Sequence, residues 1–450
     1  MKVVKFGGSS LASAVQIRKV IDIIKEDDQR KFVVVSAPGK RDEADTKMTD
    51  LFIDYYECYV NGLETKKFQQ KIVARFSAIA SAFSLPVTII KDFEERIARL
   101  LNNPIEGNQY LYDMFLAQGE DLQARLLAEI FVKEGISASY MSPKDAGLLV
   151  SDEPGNARIL PESYERIFSL RDQSGVVIIP GFFGYTCSGE ICTFSRGGSD
   201  ITGSIIAAGV HADLYENFTD VDGVFAAHPG IVHNPQFIKE MTYREMRELA
   251  YAGFSVFHDE ALIPIFRAEI PIVIKNTNNP SHPGTQISNT RELTSQPVIG
   301  IASDSGFASI NITKFLLNRE IGFVRKILSI LETHEISFEH MPSGIDDLSI
   351  IVRESYLTPK LENLILRDIA DIVQPDELQI EHDLSILMLI GEGMKRSVGV
   401  TAAGTFALSS KRINLEMITQ GSSEVSVIFG IRSSQEARAV RALYHAYFED

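Results

Sequence analysis

The feature that most constrains this chain is an internal repeat in its last third. The segment from Ile336 through Glu339, Gly344 and Ser349 to Val352 aligns without a gap onto Ile413, Glu416, Gly421, Ser426 and Phe429, 77 residues later. The same offset carries Gly322 onto Gly399. Duplication is the best explanation. Each copy reads strand, helix, strand, strand, helix. In the first copy these fall at 308–312, 322–334, 336–341, 348–352 and 359–369, with a fourth strand near 378–381. The second copy starts at Leu384 and reaches a helix at 435–447 without a counterpart of that strand. A sheet that lacks an edge must borrow one, and 298–303 is a spare strand just upstream. The expectation is that 297–303 and 384–450 form one domain, with the other, 304–383, inserted in it.

Upstream, β-branched runs alternate with amphipathic helices. Val3 to Phe6 reads as a strand that runs into Gly7-Gly8-Ser9-Ser10. Ile17, Val20, Ile21 and Ile24 recur at helical spacing, and a second strand covers 32–36. The opening is a βαβ unit with a glycine-rich first turn. Residues 45–133 read as largely helical, with Leu122, Leu126, Leu127 and Ile130 as one buried stripe. A strand at 176–179, a hairpin over 182–194 turning near Ser188-Gly189, a helix over 201–209 and a strand over 212–217 follow. A helix at 243–252 and a strand at 271–275 complete the region. Such alternation argues for a mostly parallel sheet sandwiched by helices, an α/β fold. The run 276–290 is dense in turn formers, which sets the first domain at 1–290.

Composition excludes several classes. With 450 residues, 45% of them hydrophobic and 23% charged, the chain has the balance of a multi-domain globular protein. Neither an apolar run long enough for a bilayer nor a signal-peptide pattern is present. The net charge of −16 argues against nucleic acid or an anionic membrane as partner. Three cysteines give no disulfide framework. Cys187 and Cys192 lack metal-ligand spacing and read as reduced thiols, so the expected compartment is the cytoplasm.

Two glycine pairs carry the chemistry. Gly7-Gly8-Ser9 follows a strand and lets backbone approach a phosphate; it matches neither the P-loop nor the Rossmann pattern. The plainer alternative is a tight turn with a serine cap. Lys5 can present its ammonium beside this loop, or can be an ordinary edge-strand lysine. Arg196-Gly197-Gly198-Ser199-Asp200 repeats the design at a second helix start, where Ser199 or Asp200 could equally be an N-cap. A guanidinium beside bare backbone suits bidentate binding of a carboxylate or phosphate. Thr219-Asp220-Val221-Asp222-Gly223 closes a strand with two carboxylates. Histidines 211, 228, 233 and 258 show no ligand spacing, no metal site is expected, and 42–45 reads as a solvated loop face.

Together with Ser36, Thr49-Asp50-Leu51, Gln118-Gly119-Glu120 and 252–258, these motifs resemble the aspartate kinases of the amino-acid kinase fold, over almost the whole chain. The repeated tail resembles the paired, ferredoxin-like ACT domains of that family, one inserted in the other. The resemblance implies ATP-dependent phosphorylation of the L-aspartate β-carboxylate, the first step of lysine, threonine and methionine synthesis. It implies Lys5 on the transferring phosphoryl, Asp200 orienting Lys5, and Gly7, Gly8 and Ser9 around phosphate oxygens. Arg196 would take the substrate α-carboxylate and Glu120 its α-ammonium. Ser36, Thr49 and Ser199 would line the substrate site, and Thr219, Asp220 and Phe225 the nucleotide site. Mg²⁺ would ride on the ATP phosphates.

The chain departs from the family pattern at Phe225, at His228-Pro229-Gly230 and at Ser255, so the nucleotide contacts there are built differently. The resemblance further implies a homodimer or dimer of dimers through the ACT domains. Lysine, with or without threonine, would be the effector, bound around Gly322, Phe323, Val324, Glu339, Ser343 and Gly344. Two other functions compete: a different amino-acid kinase, such as a glutamate or acetylglutamate kinase, and a catalytically weak ACT-based sensor. Lys5, Glu120, Arg196 and Asp200 argue against the sensor, and Glu120 argues against an N-acetylated substrate.

Overall fold

The computed structural model describes residues 1–449 apart from 196, 255, 256, 258, 294 and 295. Two compact units emerge, and the chain passes between them more than once. The first holds Met1–Val224, Ile238–Met246 and Ser255–Arg291; the second holds Phe225–Phe237, Arg247–Phe254 and Glu292–Asp450.

The first unit is built on strands β1 (Lys2–Phe6), β2 (Arg30–Val35), β3 (Ala138–Tyr140), β4 (Val176–Pro180), β5 (Leu214–Thr219), β6 (Glu240–Thr242), β7 (Ile272–Asn276) and β8 (Thr285–Ser288). Their order in the sheet is β6-β8-β7-β5-β1-β2-β4-β3. All neighbours are parallel except β7 and β8. Parallel strands need crossovers, which helices supply. Those used below are α1 (Ala14–Glu26), α2 (Met48–Val60), α3 (Lys66–Ala82), α4 (Gln118–Lys133) and α5 (Gly198–Gly209). The predicted stripes of α1 and α4 are all buried. Two expectations change. The helix after the first glycine pair begins only at Ala14, where the Ser13 hydroxyl accepts from the Gln16 N–H; between them lies a single 3-10 turn, Gly8–Leu11. The turn-rich run 276–290 also contains a strand, because β8 folds back antiparallel onto β7.

The second unit carries an antiparallel sheet of β9 (Gly300–Thr313), β10 (Phe338–His340), β11 (Asp347–Arg353), β12 (Glu377–Ile390), β13 (Met417–Gln420) and β14 (Ser426–Arg432), in the order β10-β11-β9-β12-β14-β13. The segments 298–303 and 308–312, read as two strands, are largely one. Gly300 to Ser305 pairs with Ile390 to Ser385, and Phe307 to Thr313 pairs with Leu384 to Glu377. Register shifts flank Phe307, where Gly306 (φ 82°) and Asp383 (φ 60°) are left-handed, a bulge that re-aims one long ribbon. The offset of the repeat holds in three dimensions: α6 (Phe323–Thr333) and α7 (Val400–Ser410) each begin at a left-handed glycine, Gly322 at φ 78° and Gly399 at φ 90°. No described helix is long and apolar enough to cross a membrane.

Candidate active site

The site forms at the carboxyl ends of the central parallel strands, where open α/β sheets bind ligands. β1 lies between β2 and β5, so Lys5 is not an edge lysine. In the β1–β5 register Lys5 faces Asn217, which puts both side chains on one face of the sheet. Lys5 Nζ lies 2.6 Å from Asp200 Oδ1, and Asn217 Nδ2 donates to the same oxygen at 2.8 Å. Lys5 is only 7% exposed. Asp200 sits in the first turn of α5, held there by its N–H bond to the Gly197 carbonyl. Asn217 was not singled out from the sequence, since only the strand register brings it beside Lys5.

The first glycine turn abuts this pair. The Gly7 N–H donates to the Phe218 carbonyl at 3.0 Å, and a Cβ on Gly7 would stand 3.7 Å from Lys5 Nζ. Gly8 is required for a different reason: a Cβ there would come within 2.8 Å of the Ala37 carbonyl oxygen. The Gly39 N–H also donates to the Gly8 carbonyl at 2.8 Å. Ser9 is half-buried beside it. The turn is tied to the end of β5 through Ser10 Oγ and Thr277 Oγ1, 2.7 Å apart, and through the Thr277 N–H to the Thr219 carbonyl. Thr219 Oγ1 donates to Asp220, which is exposed.

Ala37 joins the glycine turn to Glu120. Its N–H draws the Glu120 pKa down, and a Cβ on Gly119 would press within 2.8 Å of its methyl. Glu120 is buried and its Oε2 has no partner among the described residues. Burial pushes its pKa up to about 8 against the pull of the Ala37 and Glu120 N–H groups. An orphaned buried carboxylate oxygen fits an incoming ammonium. Ser36 sits at the end of β2, with its N–H on the Phe6 carbonyl. Gly181, beyond β4, admits Ser199, whose Cβ lies 2.7 Å from where a Cβ on Gly181 would be.

Thr49 stands in the first turn of α2, next to Met48, whose N–H donates to the Pro38 carbonyl. Arg75 of α3, unmarked in the sequence, pins the loop before it: it donates to the carbonyls of Gly39 at 2.7 Å and Thr46 at 3.0 Å and pairs with Asp45 at 2.9 Å. Asp42 to Ala44 are exposed, but Asp45 is engaged by Arg41 and Arg75 and held well below the usual carboxylate range. Only part of that stretch is therefore a solvated face. Arg196, Ser255 and His258 lie outside the described residues.

In the second unit, the Phe225 ring packs edge-on against Phe237. Phe323 is buried in the core, with Val324 packed against it. Both Glu339 oxygens are occupied: Arg353 Nε reaches Oε1 at 3.2 Å and the Tyr251 hydroxyl donates to Oε2. Ser343 pairs with Leu348, and the Gly344 N–H donates to the Asp347 carbonyl. One repeat later, Gly399, Val400 and Gly421 help line a cavity of about 470 Å³, with Lys395, Gln420 and Glu424.

Residues 1–276 match the amino acid kinase family, and residues 387–447 match an ACT domain. Aspartokinase 3 of Bacillus subtilis (strain 168) is 52% identical over 448 residues, spanning 100% of this chain and 99% of the relative. The chain belongs to the aspartate kinases. The crystal structure of Clostridium acetobutylicum aspartate kinase superposes with a TM-score of 0.87 at 39% identity, over 99% of this chain and 100% of that one. E. coli aspartokinase III in complex with aspartate and ADP shares the fold, with a TM-score of 0.83 at 24% identity and complete coverage of both chains. Aspartate kinases transfer phosphate from ATP to aspartate under allosteric control. Neither a different amino-acid kinase nor a catalytically weak ACT-based sensor is favoured by these relatives.

Proposed function

We propose that this aspartate kinase carries out phosphoryl transfer at the Lys5–Asp200 pair, with the substrate α-carbon groups held by Glu120 and Arg196. The buried ion pair beside the Gly7-Gly8 turn is the observation that carries the reading. The β-carboxylate is ionised at pH 7, given its reference pKa near 3.9, so it needs no general base. Its difficulty is approaching an anionic γ-phosphoryl: like charges ~4 Å apart repel by about 4 kcal/mol at an effective dielectric of 20. The Lys5 ammonium offsets that repulsion, Gly7, Gly8 and Ser9 accommodate phosphate oxygens, and positioning supplies most of the rest. Asp200 and Asn217 fix the ammonium. The Glu120 oxygen without a partner among the described residues supports a free α-ammonium, Ser36 and Thr49 hold the reacting end, and Ser199 contributes to the substrate site. Thr219 and Asp220 serve the nucleotide.

Mg²⁺ neutralises phosphate charge when ATP binds. Asp200 is taken by Lys5 and Asn217, and Asp222 by Asn276 and Asn279, which suits a cation that arrives on the nucleotide rather than in a protein cage. The proposed domains are a catalytic domain at 1–290, an inserted ACT domain at 304–383, and a second ACT domain from 297–303 with 384–450. Lysine, with or without threonine, is the proposed effector at Gly322 to Val324 and Glu339 to Gly344; an E. coli aspartokinase III structure holds lysine and aspartate in its T-state. Phe315, Ile321 and Ile345, 77%, 97% and 69% exposed, support association through the second unit into a dimer or dimer of dimers, and the proposed compartment is the cytoplasm. The test is ADP release with aspartate, glutamate and N-acetylglutamate, each with and without lysine and threonine. Turnover no faster with aspartate than with the other two would overturn the substrate assignment.

A further inference from the structure

Two hydroxyls on β5 and α5 are fully buried and have no hydrogen-bond partner among the described residues: Tyr215 Oη and Ser204 Oγ. Buried polar atoms in native proteins ordinarily find partners, and an exception calls for a physical reason. Tyr215 lies on β5 two residues before Asn217, so it points to the same face of the sheet. Across from it, Gly203 stands three residues beyond Asp200 in α5. A Cβ at Gly203 would come within 2.3 Å of Tyr215 Oη and 2.8 Å of its Cζ. The tyrosine hydroxyl thus occupies the place of a helix side chain, one turn from Asp200. That arrangement is doubly unfavourable for stability. A glycine inside a helix weakens it, and a desolvated hydroxyl without a partner weakens the core. Burial, and then the Asp200 charge, raise the phenol's pKa and keep it protonated, hence a donor.

In the ligand-free protein Asp200 does not need this donor, because its Oδ1 already accepts from Lys5 and Asn217. The need arises during the reaction. As the Lys5 ammonium turns toward the transferring phosphoryl, its hold on Asp200 loosens, and a largely buried carboxylate is left short of one donor. We propose that Tyr215 is a positioning residue whose hydroxyl is the reserve hydrogen-bond donor to Asp200, engaged when Lys5 turns to the nucleotide. This rests on the Lys5–Asp200 assignment above and extends it. It also accounts for Gly203: only a residue without a Cβ leaves the hydroxyl room beside α5.

The test is Tyr215→Phe in the full-length chain, with two readouts. The ligand-free variant should unfold at the wild-type temperature or higher, since no hydrogen bond is lost. The rise in unfolding temperature given by MgADP with aspartate should shrink. kcat should fall about 10-fold, the scale of one hydrogen bond to a charged group, with KM for aspartate within about twofold. A wild-type kcat, or a wild-type ligand increment, overturns the proposal. So does a ligand-free variant that melts earlier, which would mean the hydroxyl is bonded all along. Lys5→Ala is measured in parallel. If it is inactive while Tyr215→Phe turns over normally, only the reserve donor fails; if it is active, the parent assignment fails too.

Discussion

The role proposed for Lys5 rests on what surrounds it. An ammonium buried at a strand end, fixed by one carboxylate and one amide, is preorganised for charge that develops in transfer. Lys5→Ala is expected to lower kcat by about 100- to 1000-fold while leaving the fold intact; an unchanged kcat with only a raised KM for ATP would reduce Lys5 to a binding contact. Glu120 makes a pH-dependent prediction. Its pKa is about 8 in the folded protein against an ordinary 4.5, so between those values the folded state holds a proton that the unfolded state has lost. Ligand-free stability therefore falls as pH rises through this window and levels off above it. Glu120→Gln removes that dependence, so its unfolding temperature should gain on wild type steadily from pH 5 to pH 8. Its KM for aspartate should rise about 10- to 150-fold, one charge-assisted contact. In wild type below pH 8, aspartate binding should release a proton, read by calorimetry in buffers of different ionisation enthalpy; no release would leave the ammonium partner elsewhere.

At the scale of elements, the first glycine turn acts through close packing rather than through left-handed dihedrals, which Gly197 at φ 76° supplies in the second. Gly8 packs closely against Gly39 and the Ala37 carbonyl, and Gly119 against the Ala37 methyl. The first glycine turn, the β2 end and the α4 start are one packed joint. In the regulatory unit, the edge strand β10 carries a Glu339 already held by Arg353 and Tyr251. An effector ammonium at Glu339 must displace one of them. Tyr251→Phe frees one oxygen, so the lysine concentration for half-inhibition should drop by about 2- to 13-fold, the worth of one ordinary hydrogen bond. Unchanged inhibition in both Tyr251→Phe and Glu339→Ala would move the effector away from β10.

For the whole molecule, the interleaving of the two units governs how it can be cut. Segments 225–237 and 247–254 belong to the second unit although the first unit's chain surrounds them. Their partners lie far downstream: Gln236 N–H on Tyr444 Oη at 2.8 Å, Ile301 N–H on the Ala226 carbonyl at 2.7 Å, and Ser426 Oγ on Glu248 at 2.9 Å. A chain truncated after Arg291 loses all three and should aggregate or melt without a cooperative transition, measured by calorimetry and gel filtration. A soluble, cooperatively folding, active truncation would show that these segments are dispensable to the catalytic unit. Point variants in the ACT region are the better probes of regulation for the same reason.

Much of this architecture follows from local sequence pattern. Helical spacing in α1 and α4, the strand at each glycine pair, and a repeat whose 77-residue offset reappears in the starts of α6 and α7 are consequences of periodicity and backbone freedom. Glycine pairs made Lys5 and Asp200 stand out in one dimension, whereas Glu120 was reached only through the family resemblance. The sequence could not find Asn217, Arg75 or Tyr215. Each acts through a partner distant in the chain, and its position depends on strand register or helix packing. Nor could it tell that Gly306 turns two predicted strands into one ribbon, since a bulge and a turn look alike until the pairing is known. Local propensity is written in neighbouring residues; which charged group meets which is decided only when the sheet has closed around them.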